Sequence, residues 1–211
     1  MNISVPISAR QPAGVGISRD ERGLECFQDA ACAAALWSRT LPAEVTTWLA
    51  ELDPAKLPDA RVIVQTHAVR QTVAHLCEIA QMPEEPQRAW LIEDIDVLAQ
   101  RFASLMKAPY LRMRLQTVTT NACRRFHLDA ITGRLVCTYR GTGTQYGTSV
   151  NGENPEQIFT TPTGAPILLR GSLWPAKPEI GLLHRSPPIE GTGETRLVLV
   201  LDPIFDLEEA E

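Results

Sequence analysis

The sequence lacks the features that most directly assign a function. Basic residues are not in excess: 20 Lys and Arg stand against 25 Asp and Glu, for a net charge of −5. Sequence-independent nucleic-acid binding draws on a basic surface, so it is disfavoured here. No apolar run approaches the length that spans a bilayer, so no membrane partner is expected. The first residues show no basic stretch followed by an apolar core, so they do not read as a secretory signal. Cysteines number five (Cys26, Cys32, Cys77, Cys123 and Cys137), an odd count with no CxxC pair. They read as reduced thiols of a cytoplasmic protein, each by default a small buried hydrophobe. Two glycine-rich stretches, at 141–144 and 191–193, lack a GK[ST] signature and a following helix, so neither is a phosphate loop.

What is present is a full apolar complement, 44% of 211 residues, enough for one large domain. Residues 1–24 read as a flexible lead-in, 25–107 as mainly helical, 108–203 as a β core and 204–211 as an acidic tail. The alanine-rich 25–37 suggests a weakly amphipathic helix. Thr40 is placed to cap the next helix, where Leu41, Val45, Trp48, Leu49 and Leu52 share a face. Residues 59–81 suggest a longer helix with Val62, Val69, Val73, Leu76 and Ala80 as its stripe. Its β-branched start, RVIVQ, leaves a short strand as the alternative. Leu91, Ile95, Leu98, Phe102 and Leu105 mark the clearest helix, 87–107. His67 and His75 read as packing or surface residues.

At Pro109 the period changes. Leu111, Met113 and Leu115 alternate with Arg112, Arg114 and Gln116, the pattern of a half-buried strand. Short strand-like segments separated by Gly, Pro and Asn loops follow. Helices first and strands after give an α+β fold, not alternating βαβ units. Within the β half, His127 and Asp129 are two apart in a segment that reads as strand, so both side chains face one way. His184 and Arg196 lie downstream. Two histidines and one carboxylate on one face are the donor set of an open mononuclear iron site.

Residues 121–140 resemble the Fe(II)/2-oxoglutarate dioxygenase superfamily, with His127-Leu128-Asp129 as its HxD motif and 134–140 as its next core strand. Residues 164–171 resemble the strand before the distal histidine. The resemblance implies a double-stranded β-helix (jelly-roll, cupin-like) core with the helices packed on it. It implies Fe(II) held by His127, Asp129 and His184, and 2-oxoglutarate paired with Arg196, Tyr139 or Arg140 supplementing that clamp. Arg196 comes twelve residues after His184, a longer gap than usual, which the 191–194 turn could absorb. The stretches 126–147 and 182–203 are also similar to a bacterial domain-of-unknown-function family, number eighteen-twenty-six. Some of its members are encoded beside zinc-homeostasis genes.

Other readings stay open. Cys123, His127, Cys137 and His184 could form a four-coordinate zinc site in a zinc-homeostasis protein. The β domain could instead be a non-catalytic binding module, with Arg112, Arg114, Arg124, Arg125 and Arg140 holding an anion. His127 could be an ordinary core or edge histidine, with Asp129 capping a turn. His184 could orient the loop before Pro187 and Pro188, and Arg196 could pair with Glu190 or Glu194. The substrate, small molecule or protein, and the oligomeric state have no signature in the sequence.

Overall fold

The structure is a computed structural model that describes residues 12–149, 153–176 and 181–208. Its strands are β1 (Val15–Ser18), β2 (Ala34–Trp37), β3 (Ala60–Gln65), β4 (Tyr110–Val118) and β5 (Gly133–Arg140), then β6 (Gln145–Ser149), β7 (Phe159–Thr160), β8 (Ile167–Arg170), β9 (Gly181–Arg185) and β10 (Arg196–Ile204). The α-helices are α1 (Ala43–Glu51), α2 (Val69–Ile79) and α3 (Pro86–Met106).

Seven strands form one sheet in the order β1-β2-β8-β5-β10-β4-β3, and three form a second in the order β7-β6-β9. A single antiparallel bridge from His127 to His184 extends the second sheet beyond β9. Counted from β4 in chain order, with His127 as the second segment, the central strands of the large sheet run first, eighth, third, sixth. The small sheet runs second, seventh, fourth, fifth. That interleaving is the double-stranded β-helix, a jelly roll in which two sheets face each other. The fold is therefore α+β, with helices on the outer face of the large sheet.

Alternation along the central strands decides what each face meets. Leu111, Met113 and Leu115 of β4, Leu135, Cys137 and Tyr139 of β5, and Leu197, Leu199 and Leu201 of β10 are buried in one apolar cluster. The same cluster takes in Leu91, Ile95, Leu98 and Phe102 of α3. Helices and sheet thus share one core. The intervening residues of these strands face the small sheet, where Val136, Val198, Tyr146 and Leu182 form a second cluster.

Three expectations from the sequence need correction. Residues 25–37 are not a helix: a 3-10 stretch, Glu21–Gln28, is followed by β2. Alanine's helix propensity yields because Ala34 and Ala35 are fully buried between β1 and β8, where only a small side chain fits. The lead-in is partly structured, since β1 pairs in parallel with β2; residues 1–11 lie outside the described residues. Residues 59–81 divide into β3 and α2, joined by a 3-10 turn, so the β-branched start takes the strand alternative. In addition, α1 begins after Pro42 rather than at a Thr40 cap. α3 matches its expected span, opening with Pro86 at its first turn and closing at Lys107, which is left-handed at φ 54°.

Candidate metal centre and its arginine cleft

The bridge between His127 and His184 is a reciprocal pair. His127 N donates to His184 O at 3.0 Å, and His184 N donates to His127 O at 3.1 Å. Residues opposite each other on adjacent strands project to the same side, and the two imidazoles stand 4.5 Å apart. His127 is not inside a longer strand, as its sequence context suggests; the segment around it is irregular apart from that bridge. Asp129 is fixed by the segment after β8, where Ser172 N donates to Asp129 O at 2.8 Å. Gly171 lets these backbones approach, because a Cβ there would lie 2.0 Å from Ile131 O.

The carboxylate of Asp129 lies between the rings, Oδ2 3.0 Å from His184 Nε2 and Oδ1 3.5 Å from His127 Nε2. Donor atoms of the three residues all fall within 4.8 Å of one another. Donor atoms this close could be shared by one ion. His127 Nδ1 lies 2.8 Å from Arg125 O. A carbonyl only accepts, so Nδ1 carries a proton, and Nε2 is the nitrogen that faces Asp129 and would meet a metal in place of that contact. The donor set therefore fits a divalent metal. Burial pushes the Asp129 pKa up, but hydrogen bonds from His127 and His184 and the charge of Arg134 outweigh it and hold the pKa far below the usual carboxylate range. Burial lowers the pKa of His184, against the pull of Asp129. His127 is raised by its hydrogen bond to Asp129, more than burial lowers it.

A cleft of about 130 Å³ opens between the sheets beside this cluster. Arg114 of β4, Arg134 of β5, Arg185 of β9 and Arg196 of β10 line it, with Val136, Val198 and Val200 as apolar floor. Arg134 is fully engaged: Nη1 donates to Asp129 Oδ2 at 2.6 Å, Nε to Asp202 Oδ1 at 2.6 Å and Nη2 to Asp202 Oδ2 at 2.9 Å. Arg114 Nη2 donates to that same Asp202 oxygen at 2.9 Å. Arg185 stacks on Phe126, 4.5 Å from the ring centroid, and donates to Gln145.

Arg196 differs from these. It is 2% exposed, and its Nε donates to Thr142 O at 2.6 Å while Nη2 reaches Thr138 Oγ1 at 3.3 Å. Among the described residues no carboxylate lies within ion-pair distance of it. Glu194 accepts instead from Thr142 N and Oγ1, and Glu190 accepts from Asn121 Nδ2. Neither of the two partners considered from sequence is in place. Burial lowers the Arg196 pKa to about 10, with Glu194 opposing the shift.

Tyr139 and Arg140 are not in the cleft. Tyr139 points to the helix side, where its OH donates to Asp94 Oδ2 at 2.7 Å beside the Arg39–Asp94 pair. Arg140 Nη1 donates to Leu52 O. The same alternation overturns the four-coordinate zinc arrangement: Cys137 is fully buried among the helices, across the sheet from His184, so it cannot share an ion with it. Cys123 lines the cleft but stands outside the cluster of donor atoms. His67 and His75 are also outside that cluster. Arg134 and Asp202 were missed from the sequence. Asp202 follows Arg196, Val198 and Val200 at steps of two, a signal that does place it on the cleft face.

A double-stranded β-helix with a His-Asp-His cluster on its small sheet and arginines opposite is the architecture that the chain defines. Residues 18–202 match a family described as "Protein of unknown function (DUF1826)", and the chain belongs to it. No curated protein matches it in sequence. It resembles the dioxygenase for auxin oxidation of rice, at 13% identity over 87% of this chain and 78% of that one, with a TM-score of 0.46. It also resembles dioxygenase for auxin oxidation 1 from Arabidopsis thaliana in its 2-oxoglutarate complex, at 12% identity over 79% and 74%, TM-score 0.45. An oxidoreductase of the 2OG-Fe(II) oxygenase family from Burkholderia pseudomallei aligns at 13% identity over 88% and 93%, TM-score 0.40. At these scores the strand order and pairing described above carry the fold assignment. Among the described residues, no helix is long and apolar enough to cross a membrane.

Proposed function

We propose that this protein is a mononuclear non-haem iron oxygenase that uses 2-oxoglutarate, with His127, Asp129 and His184 as iron ligands. The observation that carries the reading is Arg196: a buried guanidinium, facing the same cleft as the triad, without a carboxylate partner among the described residues. A buried charge is costly unless an opposite charge meets it. A dicarboxylate whose keto-acid end reaches the metal would bring its far carboxylate to that position. The planar fork of Arg receives a carboxylate through two parallel hydrogen bonds.

Bound iron would supply the oxygen chemistry, as cofactors of this class do. The protein's own groups do the rest. With a metal bound, His127 and His184 would present unprotonated Nε2 atoms to it, and Arg125 O holds the proton of His127 on Nδ1. Arg134 holds Asp129 Oδ2, which leaves Oδ1 the freer ligand atom. Val136, Val198 and Val200 exclude water from the floor of the cleft, which strengthens the pairing at Arg196. The substrate is a small molecule or a protein segment that reaches the cleft mouth, and the setting is cytoplasmic.

Anaerobic protein loaded with iron(II) should develop the visible band of a chelated keto acid when 2-oxoglutarate is added, with matching calorimetric binding. Absence of both at millimolar 2-oxoglutarate sinks the oxygenase reading.

A further inference from the structure

Charge at the metal end of the cleft does not balance once a divalent ion is present. Two guanidiniums, Arg114 and Arg134, face two carboxylates, Asp129 and Asp202. With neutral histidines, these four sum to zero. A divalent metal adds two positive charges, and the keto-acid carboxylate of 2-oxoglutarate removes one. One positive charge then remains among these groups, to which Arg185, stacked on Phe126 and bonded to neutral Gln145, adds its own, in a cleft of an otherwise acidic chain. Clefts of one sign with low-dielectric walls concentrate counter-ions of the other.

The hydrogen bonds identify which residue is under-satisfied. Arg134 uses all three of its donor nitrogens on Asp129 and Asp202. Asp202 spends one oxygen on Arg134 alone and shares the other between Arg134 and Arg114. Arg114 thus holds half of one carboxylate oxygen, and its Nε is buried with no hydrogen bond. Burial lowers its pKa, and the neighbouring Arg134 and Arg61 add to that lowering, more than Asp202 offsets. Its side chain is 22% exposed, whereas Arg196 is 2% exposed, so Arg196 lies deep and Arg114 is reachable from solvent. The cleft volume is about 130 Å³. A co-substrate held between Arg196 and the metal would use the inner part of this space, and the more exposed Arg114 is left for a second molecule.

We infer that Arg114 is the substrate-binding arginine, and that the substrate is a carboxylate-bearing molecule whose acidic group it holds beside the metal. This rests on the oxygenase reading for the identity of the inner ligand, but the seat at Arg114 does not. A carboxylate suits it because a guanidinium receives the two oxygens of a carboxylate through parallel hydrogen bonds.

The test uses the full chain, loaded anaerobically with iron(II) and saturated with 2-oxoglutarate. Acetate is titrated as the probe, acetamide as its neutral counterpart and inorganic phosphate as the alternative anion. The readouts are perturbation of the keto-acid band and calorimetric heat. Acetate should bind and acetamide should not. Arg114→Gln should weaken acetate binding at least about tenfold while 2-oxoglutarate affinity stays nearly constant, and Arg114→Lys should keep part of it. Acetate binding that is absent, or unchanged in Arg114→Gln, overturns the inference. Phosphate binding tighter than acetate and equally dependent on Arg114 overturns the carboxylate assignment. If 2-oxoglutarate itself does not bind, acetate is titrated into metal-loaded protein alone. Loss in Arg114→Gln but not in Arg196→Gln then supports the Arg114 seat although the oxygenase reading has failed.

Discussion

Arg134 ties Asp129 to Asp202: one guanidinium donates to both carboxylates, at 2.6 Å to Asp129 Oδ2 and 2.6 Å to Asp202 Oδ1. The aspartate of the HxD motif is thereby anchored to the middle of the large sheet, although it sits in an irregular segment. Arg134→Ala leaves two carboxylates facing each other in a partly buried site. Breaking such a pair costs about 3–5 kcal/mol. Metal affinity should fall about 10- to 100-fold, as when other supporting partners of metal ligands are removed. Denaturant titration and metal competition measure the two effects. A stable variant with undiminished metal affinity contradicts this role.

Metal loading should depend on the triad and not on thiols. His127→Ala, Asp129→Ala and His184→Ala should each abolish stoichiometric metal, by elemental analysis of protein purified without chelator. Cys123→Ser and Cys137→Ser should retain it. Cobalt-substituted protein should show no sulfur-to-metal charge-transfer band, because the donors are nitrogen and oxygen. Loss of metal in either cysteine variant would contradict the geometry described above.

The helices and the sheet should unfold together. Leu199 of β10 and Phe102 of α3 belong to one buried cluster, and each should cost about 2–5 kcal/mol when cut back to alanine. One cooperative transition is expected, by circular dichroism and tryptophan fluorescence alike. Limited proteolysis should release no stable fragment ending near Lys107, since each half exposes an apolar face without the other. An independently folded helical fragment counts against this.

Alkaline stability should follow the buried thiols. Burial raises Cys77 from its ordinary value of 9.0 to about 11 and Cys137 to about 12. The folded chain keeps these protons while the unfolded chain releases them above about pH 9. Stability is therefore complete below that value and declines as pH rises through the folded pKa values. Denaturation midpoints should fall from pH 9 upward, and Cys77→Ala should make the decline shallower. A Cys77→Ala profile parallel to wild type would show that other groups dominate.

Much of the site was legible because it depends on alternation, which sequence displays. Arg196, Val198 and Val200 on one face and Leu197, Leu199 and Leu201 on the other follow from a period of two. The same count places Tyr139 and Cys137 with the leucines, away from the cleft. What sequence could not show was sheet order. The bridge joining His127 to His184 spans 57 residues, and its strand context lies in β9, not around His127. The strand at Ala34–Trp37 was hidden for another reason: Ala34, Ala35 and Leu36 are buried in succession, so they lack the period that distinguishes strand from helix.

The seat of Arg196 gives a sharper test than Arg196 itself, because it can be disturbed without removing the charge. After β5 the chain turns at Gly141, whose φ is +80°. A Cβ there would stand 2.7 Å from Glu194 Oε1, 2.9 Å from Arg196 Cγ and 3.0 Å from Thr195 O. Glycine is thus required both by the left-handed backbone and by the crowding. The turn matters because Thr142 is held from two sides: Glu194 accepts from its N–H at 2.6 Å, and its own carbonyl accepts from Arg196 Nε at 2.6 Å. Gly141→Ala should push Glu194 and Arg196 apart from this turn and cost about 1–2 kcal/mol of stability. It should weaken 2-oxoglutarate binding with no change in metal affinity, because the triad lies at the other end of the cleft. Arg196→Ala should weaken the same binding by about 2–4 kcal/mol, again sparing the metal. Calorimetry with 2-oxoglutarate and metal competition read both effects. Equal losses of metal and 2-oxoglutarate in Gly141→Ala would show a general loosening of the β-helix rather than a displaced arginine. Unchanged 2-oxoglutarate binding in Arg196→Ala would leave the buried guanidinium without the partner proposed for it.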